Sequence, residues 1–92
     1  MLHGVDATRL AVRRLVPART AIPAAIRLMD SDGYRCVLTT LRFPRADRPD
    51  VLWCDSGLRR VSLFVQKRWQ ATFGLAGHTV AGVEVNVGLV GP

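Results

Sequence analysis

The chain has 92 residues, of which 49% are hydrophobic and 22% are charged. This composition is typical of one small globular domain and excludes a disordered protein. The formal net charge is +6, which favours an anionic partner such as nucleic acid, a membrane surface or an acidic protein face, with ordinary solubility as the alternative. No apolar run approaches the ~20 residues of a membrane-spanning helix. The first residues lack the basic and apolar segments of an export signal, which predicts a cytoplasmic protein if the chain is complete.

Two short helices are predicted at the start of the chain. Residues 7–15 place leucine and valine between arginines at helical spacing, with Asp6 as a cap and Pro17 as a stop. A second helix is capped by Thr20 and ends in the acidic turn at residues 30–33.

From Tyr34 onward the hydrophobic period changes to two, which predicts a series of antiparallel strands. The predicted strands are residues 34–43, 51–54, 58–66, 78–81 and 83–89. The first of them is apolar on both faces, so we expect it to be covered on both sides. The tight turn of a hairpin is assigned to Asp55, Ser56 and Gly57. Residues 67–77 are predicted to form a loop because they contain two glycines, and Gly82 is predicted to form a turn.

Cys36 and Cys54 are the only cysteines, and two cysteines without nearby histidines do not make a structural zinc site. We expect two buried thiols that pack as small hydrophobic side chains. The alternative is a disulfide, which requires neighbouring strands and an oxidising compartment. The sequence predicts neither a metal nor a cofactor.

Groups that could perform catalysis are few. His78 has no carboxylate or thiol beside it in the sequence, and a pairing with Cys54 in space is the enzymatic alternative. Ser56 lies between two predicted strands, whereas the nucleophile of an α/β-hydrolase lies between a strand and a helix. We therefore predict no catalytic residues and no enzymatic activity.

Basic residues surround one predicted strand together with an aromatic side chain. They are Arg59, Arg60, Lys67, Arg68 and Trp69. Arginines beside an exposed aromatic ring on a sheet can bind single-stranded nucleic acid through phosphate contacts and base stacking. A small basic nucleic-acid-binding protein is therefore the alternative function, and a solvated basic rim is the simpler interpretation.

Residues 51–66, V-L-W-C-D-S-G-L-R-R-V-S-L-F-V-Q, resemble a segment of the MucB/RseB family in which a motif like L-x-Y-S-D-G-L-x-x-x-S-x-F-V recurs. The similarity continues through residues 77–80 and 83–92. Upstream, Ile22-Pro23 and Gly33-Tyr34 are similar to the start of that family's smaller, C-terminal domain, so the resemblance covers roughly residues 20–92. These proteins are extracytoplasmic stress-response regulators that bind an anti-sigma factor and shield it from proteolysis.

The resemblance implies a protein-docking module in a periplasmic or other extracytoplasmic location. It implies a sheet core of Leu58, Val61, Leu63 and Val65. The predicted partner contacts are Arg59, Arg60 and Phe64, together with Trp69 from the basic segment.

The order of elements predicts an α+β fold with one or two short N-terminal helices packed on an antiparallel sheet of four to five strands. Residues 1–19 form the helical segment and residues 20–92 the sheet domain in this prediction. The predicted function is a non-catalytic protein-interaction domain that binds an anti-sigma factor or a similar regulatory partner.

Overall fold

The computed structural model describes residues 5–41, 47–60 and 66–90. Two helices precede four strands: α1 Val5–Leu15, α2 Ile22–Ser31, β1 Arg35–Thr39, β2 Val51–Arg60, β3 Gln66–Ala76 and β4 Thr79–Val90. The strands form one antiparallel sheet in the order β1-β2-β3-β4, so each pairs with its neighbours in sequence. The α+β prediction is therefore confirmed. No helix among the described residues is long and apolar enough to cross a bilayer.

Both helices lie where the sequence predicts them, but their first residues differ from the prediction. Helix α1 begins at Val5 rather than after an Asp6 cap, and its basic last turn suits the negative end of the helix dipole. Helix α2 begins after Ala21, whereas the predicted cap, Thr20, donates its hydroxyl to the carbonyl of Pro17 at 2.6 Å. The predicted turn after α2 is confirmed, with Gly33 at a φ of 88°.

The helices cover one face of the sheet, which we call the helix face. Two rows of directly opposed residues form its centre: Leu38, Leu52, Phe73 and Val83, and then Cys36, Cys54, Ala71 and Val85. Helix α1 adds Val12 to the buried core, Val16 directly after α1 joins it, and α2 adds Ala25 and Met29. Burial of these apolar side chains is the main stabilising term for so small a domain.

The other face of the sheet, which we call the open face, carries the alternate residues. Its central row is Val37, Trp53, Thr72 and Glu84, and the next row is Arg35, Asp55, Gln70 and Asn86. The buried residues of both helices pack with the residues of the helix face. The alternation of an apolar and a mixed polar face is the expected pattern for an antiparallel sheet with one wet side.

The predicted turn at Asp55, Ser56 and Gly57 is wrong, because β2 continues through it as one strand with a bulge. The residues that suit a turn hold this bulge instead. The Gly57 N–H donates to Asp55 Oδ1 at 2.8 Å, and the Trp69 N–H donates to Ser56 Oγ at 3.0 Å. Gly57 takes a φ of 69°, a left-handed conformation that glycine adopts readily and that one type of bulge uses.

The predicted strand at residues 58–66 is also wrong, because Arg60 and Gln66 are partners on two neighbouring antiparallel strands. The predicted core residues Val61, Leu63 and Val65 and the predicted contact Phe64 lie outside the described residues. The structure describes the backbone pairing of Leu58.

The predicted loop at residues 67–77 is wrong, because residues 66–76 form the strand β3, with Ala71, Phe73 and Gly74 buried in it. The predicted turn at Gly82 lies within β4, where the register shifts opposite β3. The chain reverses between Ala76 and Thr79 instead, and Gly77 there has a φ of 63°. Glycine thus occurs in bulges as well as in turns in this sequence, and its position in the sequence alone does not distinguish the two structures.

The cysteines form a disulfide, so the prediction of two free thiols is wrong. Cys36 on β1 and Cys54 on β2 are directly opposed, with a Cα–Cα distance of 4.0 Å. The bond joins the outermost strand to the interior of the sheet. Sequence spacing did not reveal it because the cross-strand register depends on the tertiary fold.

Candidate functional site

The two edges of the sheet differ in how their backbone groups are satisfied. The connection between the helices covers the beginning of β4. Val80 donates its N–H to the carbonyl of Thr20 at 2.9 Å and accepts the Arg19 N–H at 2.8 Å, and the His78 carbonyl accepts the Ile22 N–H at 3.0 Å. A strand edge covered in this way offers fewer groups to another chain.

The outer side of β1 has no such cover among the described residues, since β1 pairs only with β2. The Cα–Cα distance of 4.0 Å between Cys36 and Cys54 identifies a non-hydrogen-bonded pair. In such a pair the backbone N–H and C=O point away from the partner strand. Cys36, and Leu38 two residues later, therefore direct their backbone groups outward, where another strand could pair with them.

Large apolar side chains are exposed on the same side of the molecule. Val37 is 48% exposed, Leu38 is 43% exposed and Leu41 is 55% exposed. In the part of the chain that the structure describes, Leu10 on α1 is the one other large hydrophobic residue in this class. We call the outward backbone of β1 together with Val37, Leu38 and Leu41 the open edge.

A cavity of about 340 Å³ lies at one end of the open edge, and we call it the edge pocket. Its walls come from α2, β1, β3, the β3–β4 turn and the segment before β2. The lining residues are Ile22, Leu38, Arg48, Pro49, Leu75, Gly77 and His78. The walls are mainly apolar, with one guanidinium and one imidazole, which is a typical composition for a small binding site.

Asp55 has a structural role beside the bulge. It forms an ion pair with Arg68 on β3, and only 12% of its side chain is exposed. The hydrogen bond from Arg68 lowers the pKa of Asp55, against an opposing effect of burial, and the Gly57 N–H lowers that pKa further. The carboxylate therefore fixes β2 to β3 as a charged group. The same ion pair raises the pKa of Arg68.

Of the predicted partner contacts, the structure describes the backbone pairing of Arg59 and Arg60 and the position of Trp69. Arg59 pairs with Lys67 in the backbone register and Arg60 pairs with Gln66, while Phe64 lies outside the described residues. Trp69 is half-buried and packs against the core. The ammonium group of Lys67 lies 5.6 Å from the centre of the Trp69 ring, within the range of a cation–π interaction.

The pairing of Cys54 with His78, considered as the enzymatic alternative, is not present in the structure. The disulfide removes the thiol that a pairing of Cys54 with His78 would need, and His78 is exposed at the β3–β4 turn. No group of three or more His, Cys, Asp or Glu residues lies close enough among residues 5–41, 47–60 and 66–90 to hold a metal ion.

The sequence pattern does not predict the open edge, although the first strand carries the relevant signal. Apolar residues on both of its faces predict that both faces are covered. The exposure of Val37 and Leu38 shows that this prediction is wrong. A strand that is apolar on both faces is compatible with a central position or with an edge that binds a partner, and the topology distinguishes the two.

Comparison with known protein families, characterised proteins and solved structures finds no match for this chain.

Proposed function

We propose that this chain is a non-catalytic protein-interaction domain that binds an anti-sigma factor, or a regulatory protein of similar role, through the open edge. The observation that carries the proposal is an edge strand whose outward backbone groups have no partner strand among the described residues, with the exposed apolar side chains of Val37 and Leu38 beside them. An extended segment of a partner can pair with such an edge, since its main chain supplies hydrogen bonds and its alternate side chains supply apolar contacts.

The size of the open edge indicates how much of the partner is bound there. Full burial of a Val or Leu side chain contributes roughly 1.5–3 kcal/mol, so the exposed parts of three such residues offer roughly 2–4 kcal/mol. Micromolar binding requires about 8 kcal/mol after the cost of association has been met. The partner must therefore contact further surface next to the edge, and the edge pocket and the open face are adjacent.

The disulfide supports an extracytoplasmic location for this interaction, and the resemblance described above implies the periplasm. Disulfides persist in oxidising compartments and are rare in the reducing cytosol. The bond between Cys36 and Cys54 also fixes β1 to the sheet. The edge strand is thereby held in an extended conformation before a partner arrives, which lowers the ordering cost of binding.

The nucleic-acid alternative has weaker support from the described residues. Base stacking needs an accessible aromatic face, whereas Trp69 packs partly against the core and has Lys67 next to its ring. Its test is the salt dependence of oligonucleotide binding, which should be steep if phosphates are contacted.

Isothermal titration of the oxidised chain with the extracytoplasmic segment of an anti-sigma factor tests the proposal. Val37→Asp places a charge on the open edge, and we expect it to weaken binding at least about tenfold. Asn86→Asp is the matched control, because it adds the same charge at an exposed position of β4. We expect that control to bind as the unchanged chain does.

Equal affinity of the two aspartate variants would contradict strand addition at β1. Absence of binding by the unchanged chain at micromolar concentration would contradict an anti-sigma partner. Circular dichroism of both variants shows whether the fold is retained, so that a loss of affinity is not confused with unfolding.

A further inference from the structure

We propose that the edge pocket receives one large apolar side chain from an extended, acidic segment of the partner protein, with a carboxylate of that segment beside Arg48. This inference rests on the proposed function and specifies which peptide chemistry the open edge selects. Its basis is the joint position of the edge pocket, the outward backbone of β1 and the cations at both ends of that strand.

Strand geometry determines which partner side chain enters the edge pocket. Leu38 directs its backbone groups outward and also lines the edge pocket. Residues that face each other in an antiparallel pair place their side chains on the same face of the sheet. The partner residue opposite Leu38 therefore projects its side chain along the helix face, directly into the mouth of the edge pocket.

The walls of the edge pocket determine the kind of side chain. Ile22, Pro49 and Leu75 supply apolar surface, and the cavity of about 340 Å³ lies at the lower end of the range for small-molecule sites. A Leu, Met or Phe side chain fits such a volume and removes apolar surface from water on both sides of the contact. A small or charged side chain would leave these walls hydrated.

The cationic side chains near β1 determine which charged residues the partner segment should carry beside its apolar residue. Arg48 lines the edge pocket and Arg35 begins β1, and neither forms an ion pair with the described part of the chain. None of the residues that line the edge pocket is a carboxylate. A strand along β1 therefore has a cation near each end, which favours carboxylates on both sides of the apolar residue.

A second copy of this chain fits the open edge less well than an acidic segment does. Each copy carries a net charge of +6, so two copies repel each other. Pairing of two five-residue strands also falls short of the roughly 1,200 Å² that a stable interface buries. The occupant argued here is therefore a segment of a different, acidic protein.

Fluorescence anisotropy with a capped, labelled decapeptide tests the inference. The probe alternates threonine and valine, with one central leucine and a glutamate on each side of it. Replacing its leucine with alanine should weaken binding about tenfold. Replacing its glutamates with glutamine should weaken binding severalfold and reduce its dependence on salt. A form with an uncapped C-terminus shows whether a terminal carboxylate substitutes for the glutamates, which would overturn the assignment of an internal segment.

Matched variants of the protein locate the contact. Leu38→Ser and Arg48→Gln should each weaken binding of the peptide severalfold or more. Leu10→Ser and Arg27→Gln are the controls, because they make the same changes at exposed positions of α1 and α2. The controls should leave the affinity unchanged, and thermal unfolding checks that all four variants fold.

The outcomes separate this inference from the proposed function. Equal affinity for the leucine and alanine peptides, or no peptide binding at millimolar concentration, overturns the edge pocket as a specificity site. The proposed function stands in that case if Val37→Asp still weakens binding of the anti-sigma segment. Concentration-dependent dimerisation that Leu38→Ser abolishes would assign the open edge to a second copy and overturn the inference.

Discussion

The two edge strands of this sheet differ in whether their outer backbone groups form hydrogen bonds within the described part of the chain. At β4, the connection between the helices accepts and donates backbone hydrogen bonds at Val80 and His78. At β1, the outward groups of Cys36 and Leu38 have no strand beside them among the described residues, and Val37 and Leu38 are close to half exposed. The beginning of β4 is thus covered from within the chain, whereas the outer side of β1 has no such cover among the described residues.

This difference shows that coverage of an edge depends on which segments can reach it. Helix α1 packs mainly on β4, α2 packs more on β1 than on β4, and the connection between the helices pairs with the start of β4. The chain then uses a covalent bond at the opposite edge, where Cys36 is linked to Cys54. A disulfide fixes a strand without occupying its outer hydrogen-bonding groups. Strand β1 can therefore be held to the sheet and still pair with a strand of another chain.

Removal of the disulfide should have the largest effect on stability, and that effect should be concentrated at β1 rather than at β4. Replacement of both Cys36 and Cys54 with alanine removes a link across 18 residues, and we expect a loss of about 3 kcal/mol in the free energy of unfolding. Urea denaturation measures that loss. Hydrogen exchange should accelerate first at β1, and simultaneous acceleration at β4 would show that the two edges are not independent.

A valine-to-threonine substitution should lower the free energy of unfolding more on β4 than on β1, because the valine chosen on β4 is buried and the one on β1 is exposed. Val85→Thr on β4 places a hydroxyl at a site that is 3% exposed, and it should cost about 1–3 kcal/mol. Val37→Thr on β1 should change stability by less than about 0.5 kcal/mol, because that side chain is 48% exposed. Similar costs in thermal or urea unfolding would show that Val37 is covered in solution.

The cover over β4 can be tested at Arg19, which has a φ of 73° and donates its N–H to Val80. Arg19→Pro removes the donor and does not permit this φ, so we expect a loss of more than about 1 kcal/mol. Arg19→Gly permits the same backbone and should be neutral or stabilising by up to about 1 kcal/mol. Faster exchange of the Val80 amide in the proline variant alone would support the assigned cover.

The smallest expected effect concerns pH. The pKa of Asp55 is lowered in the folded state, chiefly by Arg68, so its contribution to stability is present above the unfolded pKa, about 4, and is lost as the pH falls through the folded value. Asp55→Asn should flatten the dependence of unfolding free energy on pH in this acidic range. Unchanged dependence in that variant would indicate that other carboxylates dominate acid unfolding.

The sequence predicted the elements that local pattern controls. Alternation of apolar residues identified most of the sheet, and the acidic turn before Gly33 ended α2 as expected. Local pattern failed where a residue type serves two structures. Gly57 and Gly82 lie in bulges although they were assigned to turns, because glycine permits both and only the partner strand decides which one forms.

The candidate site was less accessible to sequence reasoning than the fold. The predicted contacts Arg59, Arg60, Phe64 and Trp69 were chosen from charge and resemblance within one segment. The edge pocket instead combines side chains from distant segments, such as Ile22 and Leu75, which the topology brings together. No local period encodes that arrangement, since it depends on the packing of α2 against the end of the sheet.

The sequence by itself determined that this chain is a small basic α+β domain, because composition and the two hydrophobic periods act locally along the chain. The tertiary structure alone decided the strand register, the pairing of Cys36 with Cys54 and the identity of the open edge. The physical reason is that these features are relations between distant segments, whose free energy arises only when the segments meet.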